Sequence, residues 1–208
     1  MPFLRSALVR SVEGAQRVAA ELGYPVALKA TGPDLVHKSD VGGVQLEFDS
    51  DQAVVAAYDE MAARLGGRMT GAVVQQMAEP GVETIIGVVQ DPLFGPLVMF
   101  GLGGVATELL RDRSLRVLPL ADLDAAEQVR SLRASPLLIG YRGSPRVAVD
   151  ALEDVLQRVA RLAARIPEIT ELDLNPVIVS PAGAVAVDCR IRVAPVPAGA
   201  PPVLRRMG

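Results

Sequence analysis

The sequence predicts an α+β fold, and three observations carry that expectation. Apolar runs of strand length outnumber helical ones, and they lie as close neighbours split by Gly/Pro turns, not as regular strand–helix–strand units. The segment Val147 to Ile166 repeats its apolar residues at helical spacing through Leu152, Val155, Leu156, Val159, Leu162, Ala163 and Ile166. Half of the 208 residues are apolar, yet 3% are aromatic and none is Trp, which calls for an aliphatic core. That length suits one large domain or two small ones.

Taken in order, Ser6 to Val9 reads as a short strand. Ser11 is placed to cap a helix, with Glu13 in its first turn, and Val12, Ala15, Val18, Ala19 and Leu22 share one face before Gly23 ends it. Val26 to Ala30 is an apolar strand. A loop marked by Gly32, Pro33 and Asp34 follows, and Gly42-Gly43 precedes a strand from Val44 to Phe48. Ser50 starts a helix from Gln52 to Leu65, stopped by Gly66-Gly67. Strands are expected over Ala72–Met77, Val82–Val89, Leu97–Phe100 and Arg116–Leu120, with a turn at Glu79-Pro80-Gly81. Asp124, with Glu127 three residues on, reads as the start of a helix to Leu132. Pro167 stops the long helix. Then come Ile169–Leu174, Pro176–Val179, a Pro181-Ala182-Gly183 turn and Ala184–Arg192. Residues 194–208 are rich in Pro, Ala and Gly and read as a flexible tail.

Net charge is −3, so no broad basic field faces nucleic acid, and the aromatics that stack on single strands are scarce. A single cysteine, Cys189, excludes an internal disulfide framework and a zinc site built on several cysteines; we read it as a small buried residue in a cytoplasmic protein. No apolar run reaches membrane-spanning length.

The chemistry concentrates in two stretches. Of 21 basic residues only Lys29 and Lys38 are lysine, and both lie within ten residues of His37, the one histidine. Arginine serves for generic charge elsewhere in this chain; the compact ammonium of lysine can point into a phosphate cluster. With the glycines after it, this stretch reads as a loop over a polyphosphate, against the plainer reading of a hairpin with strand-end charges. The second stretch is Glu171, Asp173 and Asn175 on one strand, followed by Asp188. Alternation puts the first three on one face, and the turn at 181–183 brings Asp188 back towards Asn175. Carboxylate and amide oxygens suit a hard cation such as Mg²⁺; the plainer reading is a solvated sheet face. Gln75 to Glu83 reads either as strand–turn–strand or as a hinge between subdomains.

The motifs LGYPVALKATGPDLVHKSDVGGV, FGLGGVATELLRD, LLIGYRG and ITELDLNPVIV with AVDCRIRV occur in that order over roughly residues 6 to 193. In this the chain resembles the ATP-grasp domain, β-subunit type, of the nucleoside-diphosphate-forming acyl-CoA synthetases, such as ADP-forming acetyl-CoA synthetase, and more distantly the succinyl-CoA synthetase β subunits. The resemblance implies an ATP-grasp fold of two α+β subdomains, residues 1–76 and 77–193, with nucleotide held between them. It implies nucleotide contacts from Lys29, Lys38, Ser39, Gly42, Gly43, Gln75, Ala78 and Glu83, Mg²⁺ ligands at Asn175 and Asp188, and His37 as a phosphohistidine relay. ATP or ADP and Mg²⁺ are then the cofactors, and a CoA-binding α-type subunit or domain is the partner through which acyl-CoA is reached. The family carries a further helix ahead of the strand at Ser6, whereas this chain starts later. The alternative is a nucleotide-binding regulatory domain of the kind fused to GNAT-type protein lysine acetyltransferases.

Overall fold

The computed structural model describes residues 2–33, 35, 41–104 and 112–196. Two compact units form, one from Leu4–Ala78 and one from Phe3 and its predecessors together with the chain from Glu79 onward. Each is a layer of helices on an antiparallel sheet, as the neighbouring strand-length runs predict.

In the first unit the strands are β1 (Ser6–Val9), β2 (Val26–Thr31), β3 (Val44–Phe48) and β4 (Gly71–Gln76), and the helices are α1 (Val12–Leu22) and α2 (Asp51–Leu65). The sheet order is β1-β4-β2-β3. Ser11 and Ser50 cap the helices by accepting from the amides of Gly14 and Ala53. One face of the sheet, with Val26, Leu28, Ala30, Ala72 and Val74, packs on Ala15 and Ala19 of α1 and on Val54 and Met61 of α2. The opposite face carries Ala27, Lys29 and Thr31 of β2, paired with Gln75, Val73 and Gly71 of β4.

The second unit is built on β5 (Val82–Asp91), β6 (Gly95–Leu102), β7 (Arg113–Val117), β8 (Ile169–Ser180), β9 (Gly183–Ala186) and β10 (Cys189–Val193), with helices α3 (Asp122–Arg130) and α4 (Val149–Arg165). The order is β10-β8-β5-β6-β7, with β9 also on β8. Leu152, Val155, Leu156 and Val159 of α4 are buried against Ile86, Val88, Phe100, Leu172 and Leu174 of the sheet. Leu152 and Leu156 are fully buried, and each such burial contributes about 1.5–3 kcal/mol. Among the described residues, no helix is long and apolar enough to cross a membrane.

Three local expectations are corrected. Helix α3 begins earlier than Asp124, which sits in its first turn and accepts from the Ala121 amide. The edge strand β7 ends at Val117, not Leu120. The chain expected as two strands around Asn175 is the one continuous strand β8, and the return expected as one strand is split into β9 and β10.

Candidate functional site

The site residues fall in both units. In the first, Lys29 lies near the end of β2, paired with Val73 on one side and Val44 on the other. Gln75 pairs with Ala27, one step along the same helix-free face, so Lys29 and Gln75 are diagonal neighbours. Gln75 is buried. Gly43 accepts from the Ala30 amide at 2.7 Å, which joins the downstream end of the loop to β2. Gly42 has φ +67°, a left-handed conformation that disfavours a side chain. Ala78 is the last residue of this unit, and the Met77 amide before it donates to Pro25 O at 3.2 Å. His37, Lys38 and Ser39 lie outside the described residues.

In the second unit Glu83 is exposed on β5, on the face away from α4. Its carbonyl accepts from the Gly103 amide at 2.7 Å. A Cβ on Gly103 would come within 3.0 Å of Glu83 Cβ, so the bare glycine leaves room beside that carboxylate.

Asn175 lies in a bulge. Thr84 pairs with Val177 and Ile86 with Leu174, so one residue of β5 faces two of β8, Asn175 and Pro176. The extra residue reverses the alternation, because Leu172 and Leu174 are buried before it and Val177 and Val179 after it. The neighbouring chain breaks at the same level. Strand β9 ends at Ala186, β10 starts at Cys189, and Asp188 lies in the gap. There the Asn175 amide donates to Asp188 O at 3.3 Å and the Val187 amide to Pro176 O at 2.9 Å. The turn therefore brings Asp188 opposite Asn175. One carboxylate oxygen of Asp188 accepts from the Cys189 amide at 2.8 Å.

Glu171 and Asp173 share the open face of β8, and Arg192 and Arg190 sit directly across on β10. Arg192 pairs with Glu171 at 3.3 Å. Partial burial pushes the Asp173 carboxyl up; Arg190 opposes that, while Glu171 and Asp188 add to it. The arginines were missed in the sequence; their one signal is the alternation in Cys189-Arg190-Ile191-Arg192. Cys189 is corrected from buried to exposed, because its strand lies at a sheet edge, with no further strand beyond it among the described residues. Local desolvation, with Asp188 and Asp173 nearby, raises its thiol pKa. Among the described residues no group of three or more His, Cys, Asp or Glu could hold a metal. Asn175 and Asp188 offer two hard oxygen donors, which fits a cation that takes its other ligands from phosphates and water.

Two helix-on-antiparallel-sheet units with this distribution of lysine, amide and carboxylate define the class. The family model described as an ATP-grasp domain matches residues 1–193, and the chain belongs to that family. Within it, the chain is the ATP-grasp part of the ADP-forming acyl-CoA synthetases. It is 38% identical over 196 residues to the β subunit of ADP-forming acetate–CoA ligase I of Pyrococcus furiosus, covering 92% of this chain and 84% of that subunit. It is 43% identical over 189 residues to the ADP-forming acetate–CoA ligase I of Archaeoglobus fulgidus, covering 88% of this chain and only 27% of that longer protein. Among solved structures, it superposes on the dinucleotide-forming acetyl-coenzyme A synthetase 1 of Ca. Korarchaeum cryptofilum, in complex with coenzyme A, Ca-AMPCP and HgCl⁺. That match has TM-score 0.89 and 44% identity, and covers 93% of this chain and 86% of that one. A second structure of that protein holds coenzyme A and Mg-AMPPCP, with a phosphohistidine segment pointing towards the nucleotide-binding site; the TM-score is 0.82 at 44% identity, covering 93% and 85%. These relatives are acid–CoA ligases or synthetases, and no acetyltransferase is among them.

Proposed function

We propose that this chain binds ATP or ADP with Mg²⁺ and transfers a phosphoryl group through His37, as the nucleotide-handling part of an ADP-forming acyl-CoA synthetase that works with a CoA-binding α-type subunit or domain. Lys29, Lys38, Ser39, Gly42 and Gly43 hold the phosphates, Gln75 and Ala78 receive the base, and Glu83 meets the ribose. Asn175 and Asp188 hold the metal. Mg²⁺, when bound, neutralises charge on the phosphate oxygens. A ring nitrogen of His37 attacks the γ-phosphorus; the P–N bond forms as the bond to the bridging oxygen of ADP breaks, and the proton on the other ring nitrogen leaves to solvent. Lys29 stabilises the transferring charge from its strand, where Val44 and Val73 fix its base. The phosphorylated ring then passes the group to the CoA-binding partner, where the acid is activated. A reaction that runs on ATP, together with a single thiol, fits a cytoplasmic location.

The observation that carries this reading is the hairpin register that sets Asp188 opposite Asn175, two oxygen donors at one level of the sheet. The relatives bound to CoA and to AMPPCP with Mg support it by analogy. The test incubates the full chain with γ-labelled ATP and Mg²⁺, comparing the wild type with His37→Ala. Acid-labile, base-stable label on the wild type and none on the variant is expected. Equal labelling of both overturns the relay.

A further inference from the structure

Both flanks of the segment that carries His37 and Lys38 rest on one support, the last turn of α2 and the short 3-10 turn Gly66–Arg68 after it. On the upstream side Gly32 lies flat on the Arg68 carbonyl, so closely that a Cβ would collide with that oxygen. Next to it, the amide and hydroxyl of Thr70 donate to Thr31 O at 2.7 and 3.1 Å. The Leu35 amide donates to Gly32 O at 3.2 Å, and its side chain is buried in the core of the first unit.

On the downstream side the support is a side chain. The Arg64 guanidinium packs against Gly42, and a Cβ on Gly42 would collide with Nη1. The same nitrogen reaches Gly42 O at 3.5 Å, long for a hydrogen bond, so packing on the bare Cα is the main contact. Glu60, one turn earlier on α2, pairs with the other terminal nitrogen of Arg64 and aims it. An exposed i,i+4 pair adds little to stability. What this one does add is a fixed position for the guanidinium, and glycine is the residue that tolerates both that contact and a φ of +67°.

We propose that Arg64 is a positioning residue for phosphoryl transfer: oriented by Glu60, it clamps Gly42 and sets the downstream end of the phosphate-binding segment. The proposal deepens the phosphoryl-transfer reading and rests on it. Arg64 acts through Gly42 and Gly43, which join the segment to β2 at the Ala30 amide. Releasing it displaces the segment without removing any phosphate ligand, so the loss falls on the rate of transfer more than on nucleotide affinity.

The test uses the full chain as wild type, Arg64→Ala, Arg64→Lys and Arg158→Ala. The last is the control, since Arg158 makes an equally exposed i,i+4 pair with Asp154 on α4. Amide hydrogen exchange without ligand is read over peptides spanning Gly42 to Val44. Initial rates of labelling from ATP and Mg²⁺ are read across ATP concentrations. Arg64→Ala is expected to speed exchange there and to slow maximal labelling about tenfold, with half-saturating ATP moving less than about twofold. Arg64→Lys falls between, and Arg158→Ala matches the wild type in both. Gly42→Ala is expected to slow labelling less in the Arg64→Ala background than in the wild type, because the clash partner is gone. Unchanged exchange over Gly42–Val44, or a labelling loss confined to half-saturating ATP, overturns the proposal. If the wild type itself takes no label, the relay reading fails, and the exchange arm, which needs no nucleotide, alone decides whether Arg64 positions the segment.

Discussion

Replacing Thr84 by valine tests the bulge that borders the proposed cation site. Thr84 is fully buried, and its hydroxyl donates to Val177 O at 2.9 Å, beside the register shift that accommodates Asn175 and Pro176. Valine keeps the shape, so no cavity opens. The lost donor leaves the Val177 carbonyl undersupplied at about 1–3 kcal/mol. The methyl that replaces the hydroxyl returns about 0.8 kcal/mol. The balance is a destabilisation of about 1 kcal/mol. Thr84→Ser keeps the hydroxyl and loses a methyl, also about 0.8 kcal/mol, so stability alone does not separate the two variants. Function does: valine loosens the bulge in which Asn175 lies, and serine retains it. Urea unfolding, followed by pulsed amide exchange in β5 and β8 peptides, should show both midpoints lowered by roughly 0.3–1 M. The Mg²⁺ concentration that half-supports labelling from ATP should rise in Thr84→Val and stay at the wild-type value in Thr84→Ser. A Thr84→Val protein with the wild-type midpoint, or one whose Mg²⁺ dependence matches that of Thr84→Ser, refutes the reasoning.

Tyr24 donates to Asp51, and desolvation with that carboxylate pushes its phenol from 10.0 up to about 12. Because the folded value is the higher one, the stabilisation is present below the unfolded pKa and lost as pH rises from there through the folded one. Burial raises the Tyr58 phenol as well, so an alkaline absorbance titration should show late tyrosinate absorbance that shrinks, but does not vanish, in Tyr24→Phe; late absorbance unchanged in that variant counts against the contact. The same contact, followed by the one from Gln16, lowers the Asp51 carboxyl, so its share of stability is present above the unfolded carboxyl pKa and fades as acid protonates the group. Leu156→Ala should cost the second unit about 2–5 kcal/mol, read as a lower urea midpoint in α4 peptides; a cost below that range would mean that α4 repacks around the loss.

Much of the fold was legible because its causes are local. The helical spacing of Leu152, Val155, Leu156 and Val159 needed a single apolar surface to cover, and the sheet provides it. Ser11 and Ser50 announced their helices because a cap acts within one turn. Lys29, Asn175 and Asp188 were singled out by residue type, since oxygen donors and a rare lysine carry chemistry that an aliphatic core does not need. Cys189 was misjudged because its burial depends on whether another strand lies beyond β10, which no feature of its own segment encodes.

By itself, then, the sequence determined the α+β class, most strands and helices, and the residue types of the candidate site. The tertiary structure decided the bulge at Asn175 and Pro176, the arginines that face Glu171 and Asp173, and the seat of Gly42 on Arg64. The physical reason is distance along the chain. Periodicity, caps and turns act over a few residues, whereas strand register and a side chain packed on a remote glycine are fixed only when segments far apart in sequence meet.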